Sequence, residues 1–139
     1  MSRGLANCNP GNIRQSKVRY KGEVRPSRDP AFKQFESLAW GYRAIFVLLH
    51  TYRVRHGLRS IREMISRWAP PSENRTEAYI RAVADAVGIP DGQLLDTRDR
   101  TTMLRMAAAV SRVENGAAAD MGEVELGWEL FVRDKPASG

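Results

Sequence analysis

The segment that most limits the possible folds is the stretch SLAWGYRAIFVLLHTYRVRHG, from Ser37 to Gly57. Ser37 is a favourable helix N-cap and Gly57 a favourable C-cap, which predicts a helix that ends near His56. The apolar residues of this segment point in nearly all directions around the helix rather than along one stripe. A helix of this kind belongs in the middle of a core, so the remaining elements must pack around it.

Amphipathic helices follow that can supply this packing. In the first of them, apolar residues at i, i+3, i+4 and i+7 from Ile61 define one buried face, and the APP motif ends the helix. Asn74 and Glu77 have the spacing of a capping box at the start of the next one. The predicted helices run from Ser60 to APP, from Asn74 to Gly88, from Asp96 or Thr97 to Glu114, and from about Glu123 to Val132.

The sequence pattern over residues 7–33 is polar and is interrupted at short intervals by proline and glycine. This segment contains the one candidate for β-structure. The segment IRQSKVRY alternates weakly and KGEV supplies a turn, which together predict a small irregular hairpin. The predicted fold class is therefore mainly α (α+β), with about five helices around a long apolar central helix and one small β-hairpin near the N-terminus. We expect one domain over residues 1–134, followed by a flexible tail, KPASG, at 135–139.

Several classes of function are disfavoured by composition. The single cysteine, Cys8, excludes an internal disulfide, and His50 and His56 face different sides of one helix, so we expect no metal site and no cofactor. No apolar stretch approaches the ~18 residues of a membrane span, and no secretory signal is recognisable, which predicts synthesis in the cytoplasm without a signal peptide. The net charge of +6 indicates attraction to a polyanion, either nucleic acid or bacterial cell wall.

Three glutamates lie beside apolar residues at the predicted ends of elements, where a carboxyl group can serve acid catalysis. Glu114 closes the apolar run MLRMAAAVSRVENG, near the negative end of a helix dipole, and both surroundings favour the protonated acid. Glu36 directly precedes the N-cap Ser37, where the helix dipole favours an acidic residue. Glu73 lies in a polar loop, where capping or substrate contact is the expected role.

The combination NPGNIR, YKGEV and FKQFESLAWGYRAIFVLLHTY resembles the core of bacterial cell-wall glucosaminidases of the flagellar and autolysin type, in the lysozyme-like superfamily. It is more similar still to small phage and prophage proteins, some labelled virion or structural proteins, that combine NPGNIR, RWAPPSEN with TxxYI, and ENG. The resemblance spans about Leu5 to Leu130. It implies a lysozyme-like fold and cleavage of peptidoglycan glycan strands by a muramidase, glucosaminidase or lytic transglycosylase, with a glutamate as the acid. Action at the cell wall would require delivery by a phage or another export route.

One departure from the family pattern changes the expected site. In the glucosaminidases the catalytic glutamate ends a helix that precedes the asparagine turn. The corresponding turn here is NCNPGNIR (Asn7 to Arg14), and only a few residues precede it. Glu114 also ends an apolar helix, and Gly116 follows two residues later. We therefore hypothesise that the helix ending at Glu114 takes the position of the missing catalytic helix, as it would in a circularly permuted chain. The second catalytic role would then fall to Glu36, to Glu23, or to the acetamido group of the substrate.

The same reading assigns the substrate contacts. Asn9, Asn12 and Arg14 would bind sugar hydroxyl and acetamido groups, and Tyr79 and Trp68 are candidate stacking surfaces. Glu73 and Asn74 are expected on the same rim. Peptidoglycan glycan strands are the expected partner, together with virion proteins in a phage particle.

Two other functions remain open from the sequence. One is a noncatalytic virion structural or cell-wall-binding module that keeps the cleft without its acid. The other is nucleic-acid binding, suggested by the arginines of RVRHGLRSIREMISR, although no zinc finger, phosphate loop or RNA-recognition signature accompanies them.

Overall fold

The computed structural model describes residues 1–71 and 75–134, and within these ranges the chain is mainly helical with one small antiparallel sheet. This confirms the predicted fold class. The predicted tail at 135–139 and the loop residues Glu73 and Asn74 lie outside the described residues. The helices are α1 (Arg3–Ala6), α2 (Leu38–His56), α3 (Ile61–Trp68), α4 (Thr76–Val87), α5 (Arg100–Asn115) and α6 (Met121–Arg133), and the strands are β1 (Glu23–Val24) and β2 (Gln34–Phe35).

Helix α2 occupies the middle of the core, as its all-round apolar surface predicts. The Ser37 hydroxyl accepts the N–H of Trp40, and Gly57 ends the helix in the left-handed conformation at φ 66°. Helix α6 lies close against α2 because it presents Gly127 there, where a Cβ would come within 2.8 Å of the Ala39 carbonyl oxygen. The tight packing of these two helices leaves the other side of α2 to the N-terminal segment.

The N-terminal segment rests directly on α2 through a second glycine. A Cβ at Gly41 would overlap the carbonyl oxygen of Cys8, so the backbone of the asparagine turn touches the helix itself. Helix α1, which was not predicted, precedes this turn and begins at Ser2, whose hydroxyl accepts the N–H of Leu5 at 3.2 Å. The turn is therefore held between α1 and α2.

Two of the predicted helix starts are wrong. Helix α5 begins after Asp99, whose carboxylate accepts the N–H of Thr102 at 3.0 Å, rather than at Asp96 or Thr97. Thr97 is buried, and its hydroxyl is hydrogen-bonded to His50 Nδ1 at 2.7 Å, so it is not available as a cap. The N-cap of α4 is Arg75, which makes no side-chain cap bond.

Asn74, the first residue of the predicted capping box at α4, lies outside the described residues. Glu77 pairs with Arg62 of α3, at 2.7 Å between Oε2 and Nη1. That ion pair ties α4 to α3 across the loop that joins them.

The hairpin exists, but it uses different residues from those predicted. The sheet pairs Glu23 with Phe35 and Val24 with Gln34, so KGEV contributes a strand, and IRQSKVRY contributes only an isolated bridge between Arg14 and Phe32. The carbonyls of Ser16 and Val18 are bound by side chains rather than by a neighbouring strand. No helix within the described residues combines the length and the apolar character that a bilayer crossing requires.

Candidate active site

The C-terminal end of α5 is fixed against the asparagine turn. The Asn115 side-chain amide donates to the carbonyls of Pro10 and Ser111, each at 2.9 Å, and its oxygen accepts the Ser2 hydroxyl at 2.7 Å. A Cβ at Gly4 would lie 2.6 Å from the Asn115 oxygen, so α1 must present a glycine here. These contacts place the neighbouring residue, Glu114, beside the turn.

The two asparagines of the turn have different roles. Asn9 is fully buried, and its side chain donates to the carbonyls of Ile13 and Lys33 and accepts the N–H of Ile13. Asn9 therefore shapes the turn and does not face the cleft, contrary to its predicted role as a substrate contact. Asn12 adopts a left-handed backbone at φ 48° and directs its amide at Glu114.

The half-buried Glu114 carboxylate receives one donor on each oxygen. Asn12 Nδ2 donates to Oε1 at 2.9 Å, and the Tyr79 hydroxyl donates to Oε2 at 2.9 Å. The two hydrogen bonds fix the orientation of the carboxylate relative to the turn and to α4.

The Tyr79 hydroxyl remains a proton donor over a wide pH range. Burial of the side chain raises the pKa of Tyr79 far above its usual value, the Glu114 charge raises it further, and only the Trp68 side chain acts in the other direction. The ring is 6% exposed, so its faces are not available for a sugar, and the predicted stacking role does not apply. Tyr79 acts through its hydroxyl as a positioning group for Glu114.

Glu114 lies in the wall of a cleft of about 420 Å³. A second depression of about 280 Å³ also includes Glu114, together with Tyr79, Arg75 and Val113. Glu114 therefore lines two depressions of the surface. The cleft is lined by Gly11, Asn12, Ile13, Arg14, Gln15, Ser16, Tyr20, Phe32, Leu48, Tyr52, Arg67, Trp68, Ala69, Pro70 and Glu114.

Aromatic and basic side chains line the cleft beside the turn. Trp68 is half-buried and packs edge to face on Tyr52, with ring centroids 6.4 Å apart. Gly11 allows the turn to approach, because a Cβ there would lie 2.8 Å from Trp68 Cζ2. The Arg67 guanidinium lies 5.4 Å from the centre of the Tyr52 ring. Trp68 is thus both a packing residue and part of the cleft surface.

The remaining predicted site residues are placed as follows. Arg14 lines the cleft, with its guanidinium 5.1 Å from the centre of the Phe32 ring. Glu36 is exposed, its N–H donates to the Gly22 carbonyl at 2.8 Å, and it does not line the cleft. Glu73 and Asn74 lie outside the described residues.

Glu23, a further candidate for the second carboxylate, is buried in an ion-pair cluster. It is 2.8 Å from Arg25 and 3.1 Å from Lys33, and these partners keep the pKa of Glu23 below its usual value despite burial. It does not line the cleft. Across residues 1–71 and 75–134, no cluster of three histidine, cysteine or acidic side chains is arranged to hold a metal ion.

Sequence reasoning did not identify Asn115, Tyr52 or Arg67 as parts of the site. The ENG motif contains Asn115, so its adjacency to Glu114 was a usable signal. Tyr52 and Arg67 follow ordinary helical spacing, and nothing in their local sequence distinguishes them from core and surface residues.

The fold and the site define a small, mainly helical protein with one hydrogen-bonded glutamate in the wall of an aromatic and basic cleft. No protein-family model matches the chain. The chain is 39% identical over 132 residues to Protein P5 of Pseudoalteromonas phage PM2, in an alignment that covers 92% of this chain and 81% of the phage protein. It belongs to the family of that phage protein.

Proposed function

We propose that this protein cleaves the glycan strands of peptidoglycan, with Glu114 exchanging a proton with the glycosidic oxygen. One observation supports this most strongly. The Glu114 carboxylate lines a cleft and is hydrogen-bonded there to Asn12 of the asparagine turn, although the two residues are 102 positions apart in the chain. In the lysozyme-like glucosaminidases that the sequence resembles, a glutamate faces the corresponding turn. The hypothesis of a permuted helix required this proximity.

The site carries a single cleft carboxylate among the described residues, which limits the mechanism. Two-carboxylate glycosidases hold their acids about 5–9.5 Å apart across the bond, and neither Glu36 nor Glu23 lines the cleft. We therefore assign both proton transfers to Glu114, and the nucleophile that replaces the leaving sugar comes from the substrate or from water.

The reaction then has two halves. In the first, protonated Glu114 gives its proton to the glycosidic oxygen as the C1–O bond breaks, and the substrate acetamido oxygen bonds to C1. In the second, the Glu114 carboxylate takes a proton from water, or from the substrate C6 hydroxyl, as that oxygen bonds to C1 and displaces the acetamido group. The two donors on Glu114 hold the carboxylate in a fixed orientation for this proton transfer.

Binding of glycan supplies the condition for the first half. A sugar in the cleft displaces water from around the half-buried carboxylate and lowers the local polarity, which favours the neutral acid. Trp68 lines the cleft and is the aromatic side chain that we assign to the sugar ring, and the Asn12 amide orients the acid.

A clearing assay on purified peptidoglycan tests this function. Glu114→Gln keeps the size and planar shape of the side chain and its ability to hydrogen-bond, but its amide cannot transfer the proton, so we expect at least a hundredfold loss of clearing rate with little change in thermal unfolding. Glu129→Gln on α6 is the matched control, because Glu129 is exposed and removed from the cleft lining. Retention of clearing by the Glu114 variant would exclude this glutamate as the acid.

A noncatalytic virion structural or wall-binding module is the second candidate function, and one observation favours it. The two hydrogen bonds of Glu114 join α5 to the asparagine turn and to α4, which is also what a purely structural bridge would do. Wild-type protein that binds peptidoglycan without clearing it would establish this alternative. Membership of a phage protein family agrees with association with a virion in either case.

Nucleic-acid binding through the helical arginines has less support. Arg62, in the middle of that group, is bound to Glu77 at 2.7 Å and to Asp91 at 3.2 Å, so its charge is already compensated.

A further inference from the structure

The positive charge of the protein is concentrated in one surface loop. Residues 14–28, named the basic loop here, contain six basic residues and one acidic residue, a net charge of +5 in a chain whose total is +6. The six basic residues are exposed and the acid, Glu23, is buried. The other residues sum to a net charge of +1, although residues 53–67, with five arginines and one glutamate, carry +4. The basic residues are Arg14, Lys17, Arg19, Lys21, Arg25 and Arg28.

A buried ion-pair cluster holds the basic loop in place. Lys33 is fully buried, and its ammonium bonds both carboxylate oxygens of Glu23 at 3.1 Å and the Val18 carbonyl at 2.8 Å. Arg25 donates to the same Val18 carbonyl at 2.8 Å and to the Ser16 carbonyl at 2.9 Å. The cluster thus supplies hydrogen bonds to the Ser16 and Val18 carbonyls, which in a sheet would be bonded to a neighbouring strand. The loop is therefore an ordered platform that displays its own basic side chains.

Part of this charge has no compensation within the described protein. Lys21 is paired with Asp134 at 3.1 Å. For Lys17, Arg19 and Arg28, no carboxylate among residues 1–71 and 75–134 lies at ion-pair distance. Solvated cations of this kind attract a polyanion at a range of about 8–10 Å at physiological salt.

The basic loop also forms part of the cleft. Its residues Arg14, Gln15, Ser16 and Tyr20 line the same wall region as Glu114. A polymer that occupies the cleft therefore lies beside the loop, where the uncompensated cations are next in sequence.

We propose that the basic loop is a docking surface for the carboxylates of peptidoglycan stem peptides, with Lys17 and Arg19 as its main contacts. This inference rests on the proposed function, because it takes peptidoglycan as the polymer in the cleft. The adjoining cleft has aromatic and amide groups suited to sugars, and peptidoglycan is a sugar polymer whose peptide branches carry carboxylates. An anionic lipid surface fits less well, because Val18, at 59% exposure, is the only large apolar side chain that the described loop exposes strongly.

Co-sedimentation with purified sacculi tests the proposal, with Glu114→Gln in every sample so that nothing is cleaved. We expect Lys17→Gln/Arg19→Gln to bind about fivefold more weakly at low salt, since each exposed ion pair contributes a factor of about 1.4 to 5. The difference should vanish at about 1 M salt, where the screening length falls to about 3 Å.

The matched control removes two equally exposed charges elsewhere. Arg59 and Arg98 are exposed and lie near the N-terminal end of α5, since the Arg59 carbonyl accepts the N–H of Leu95 at 2.7 Å and Arg98 precedes the N-cap. That end is about 22 Å from Glu114 along the 16-residue helix. Arg59→Gln/Arg98→Gln should bind like the parent, and an equal loss in this control would overturn the assignment to the loop.

Three further arms identify the partner. On sacculi stripped of stem peptides by an amidase, the loop variant and its parent should bind equally, and a persisting fivefold difference would exclude the peptide carboxylates. Stronger loop-dependent binding to duplex DNA or to anionic vesicles at equal salt would assign the loop to that polyanion instead. Loop-dependent binding without clearing by the wild type would support docking while contradicting the proposed activity. Clearing by the wild type together with loop-independent binding would support the proposed activity and contradict docking at the loop.

Discussion

Replacement of Tyr79 by phenylalanine tests whether the candidate acid depends on a fixed orientation. The substitution removes one hydroxyl and leaves a buried ring in place, so the packing around α4 is preserved. It also removes the 2.9 Å hydrogen bond to Glu114 Oε2, while Asn12 remains bonded to Oε1. The carboxylate then keeps one of its two anchors.

The size of the effect follows from the exposure of Glu114. A buried hydrogen bond to a charged group contributes about 1.5–3 kcal/mol to stability. Because Glu114 is half-buried and water can replace the lost donor, we expect the free energy of unfolding to fall by only about 1 kcal/mol. Loss of orientation should lower kcat about tenfold, equivalent to about 1.4 kcal/mol, with KM changed less than about twofold. Glycan clearing rates and thermal unfolding measure the two effects separately.

Tyr42 provides a matched control for this substitution. Its hydroxyl is also buried and is also bonded to a residue of α5, Ser111, at 2.9 Å, but it does not touch Glu114. Tyr42→Phe should therefore lose similar stability and keep its kcat. Full kcat in Tyr79→Phe, or an equal loss of kcat in Tyr42→Phe, would refute the claim that Tyr79 positions the acid.

Two further predictions concern the stability of the fold. Burial raises the pKa of all four tyrosines, that of Tyr20 to about 12. Tyrosines of the unfolded chain ionise near pH ~10, so the free energy of unfolding should be independent of these groups below that pH and should fall as the pH rises above it. Tyrosinate absorbance should then appear together with unfolding, and gradual ionisation near pH 10 in the folded protein would contradict this. Lys33→Met should destabilise the protein by about 2 kcal/mol, less than the 3–5 kcal/mol of an orphaned buried charge, because Arg25 still binds Glu23. Chemical denaturation and hydrogen exchange of residues 16–21 check this, and wild-type stability would count against the role of the cluster.

The elements that could be predicted from the sequence are those fixed by local chemistry. Helices α2 and α3 begin at Ser37 and Ser60, whose hydroxyls cap the first turn, and α2 ends at a glycine in the left-handed conformation. The start of α5 was misplaced because several good capping residues lie close together there. The choice between them depends on His50, which is distant in sequence and binds the Thr97 hydroxyl.

The strands of the hairpin could not be assigned from the sequence for a similar reason. Weak alternation in residues 13–20 favours a strand, but the fully buried Lys33 binds the Val18 carbonyl, and the segment follows the ion-pair cluster instead of a strand partner. A lysine in a polar loop gives no local sign that it will be buried. Its burial depends on Glu23, ten residues away, and on the fold around both.

The three asparagines of NCNPGNIR show how far a motif can predict a site. Asn7 donates to Asp29 at 3.1 Å and Asn9 bonds the backbone of Ile13, so both fold the turn. Only Asn12 reaches Glu114, and it does so from a left-handed backbone that the bonds of Asn9 help to impose. The motif thus specifies the shape of the turn, and its chemistry is concentrated in the one residue whose backbone conformation turns its amide toward α5. The three asparagines look alike in the motif, so the motif alone could not assign their separate roles.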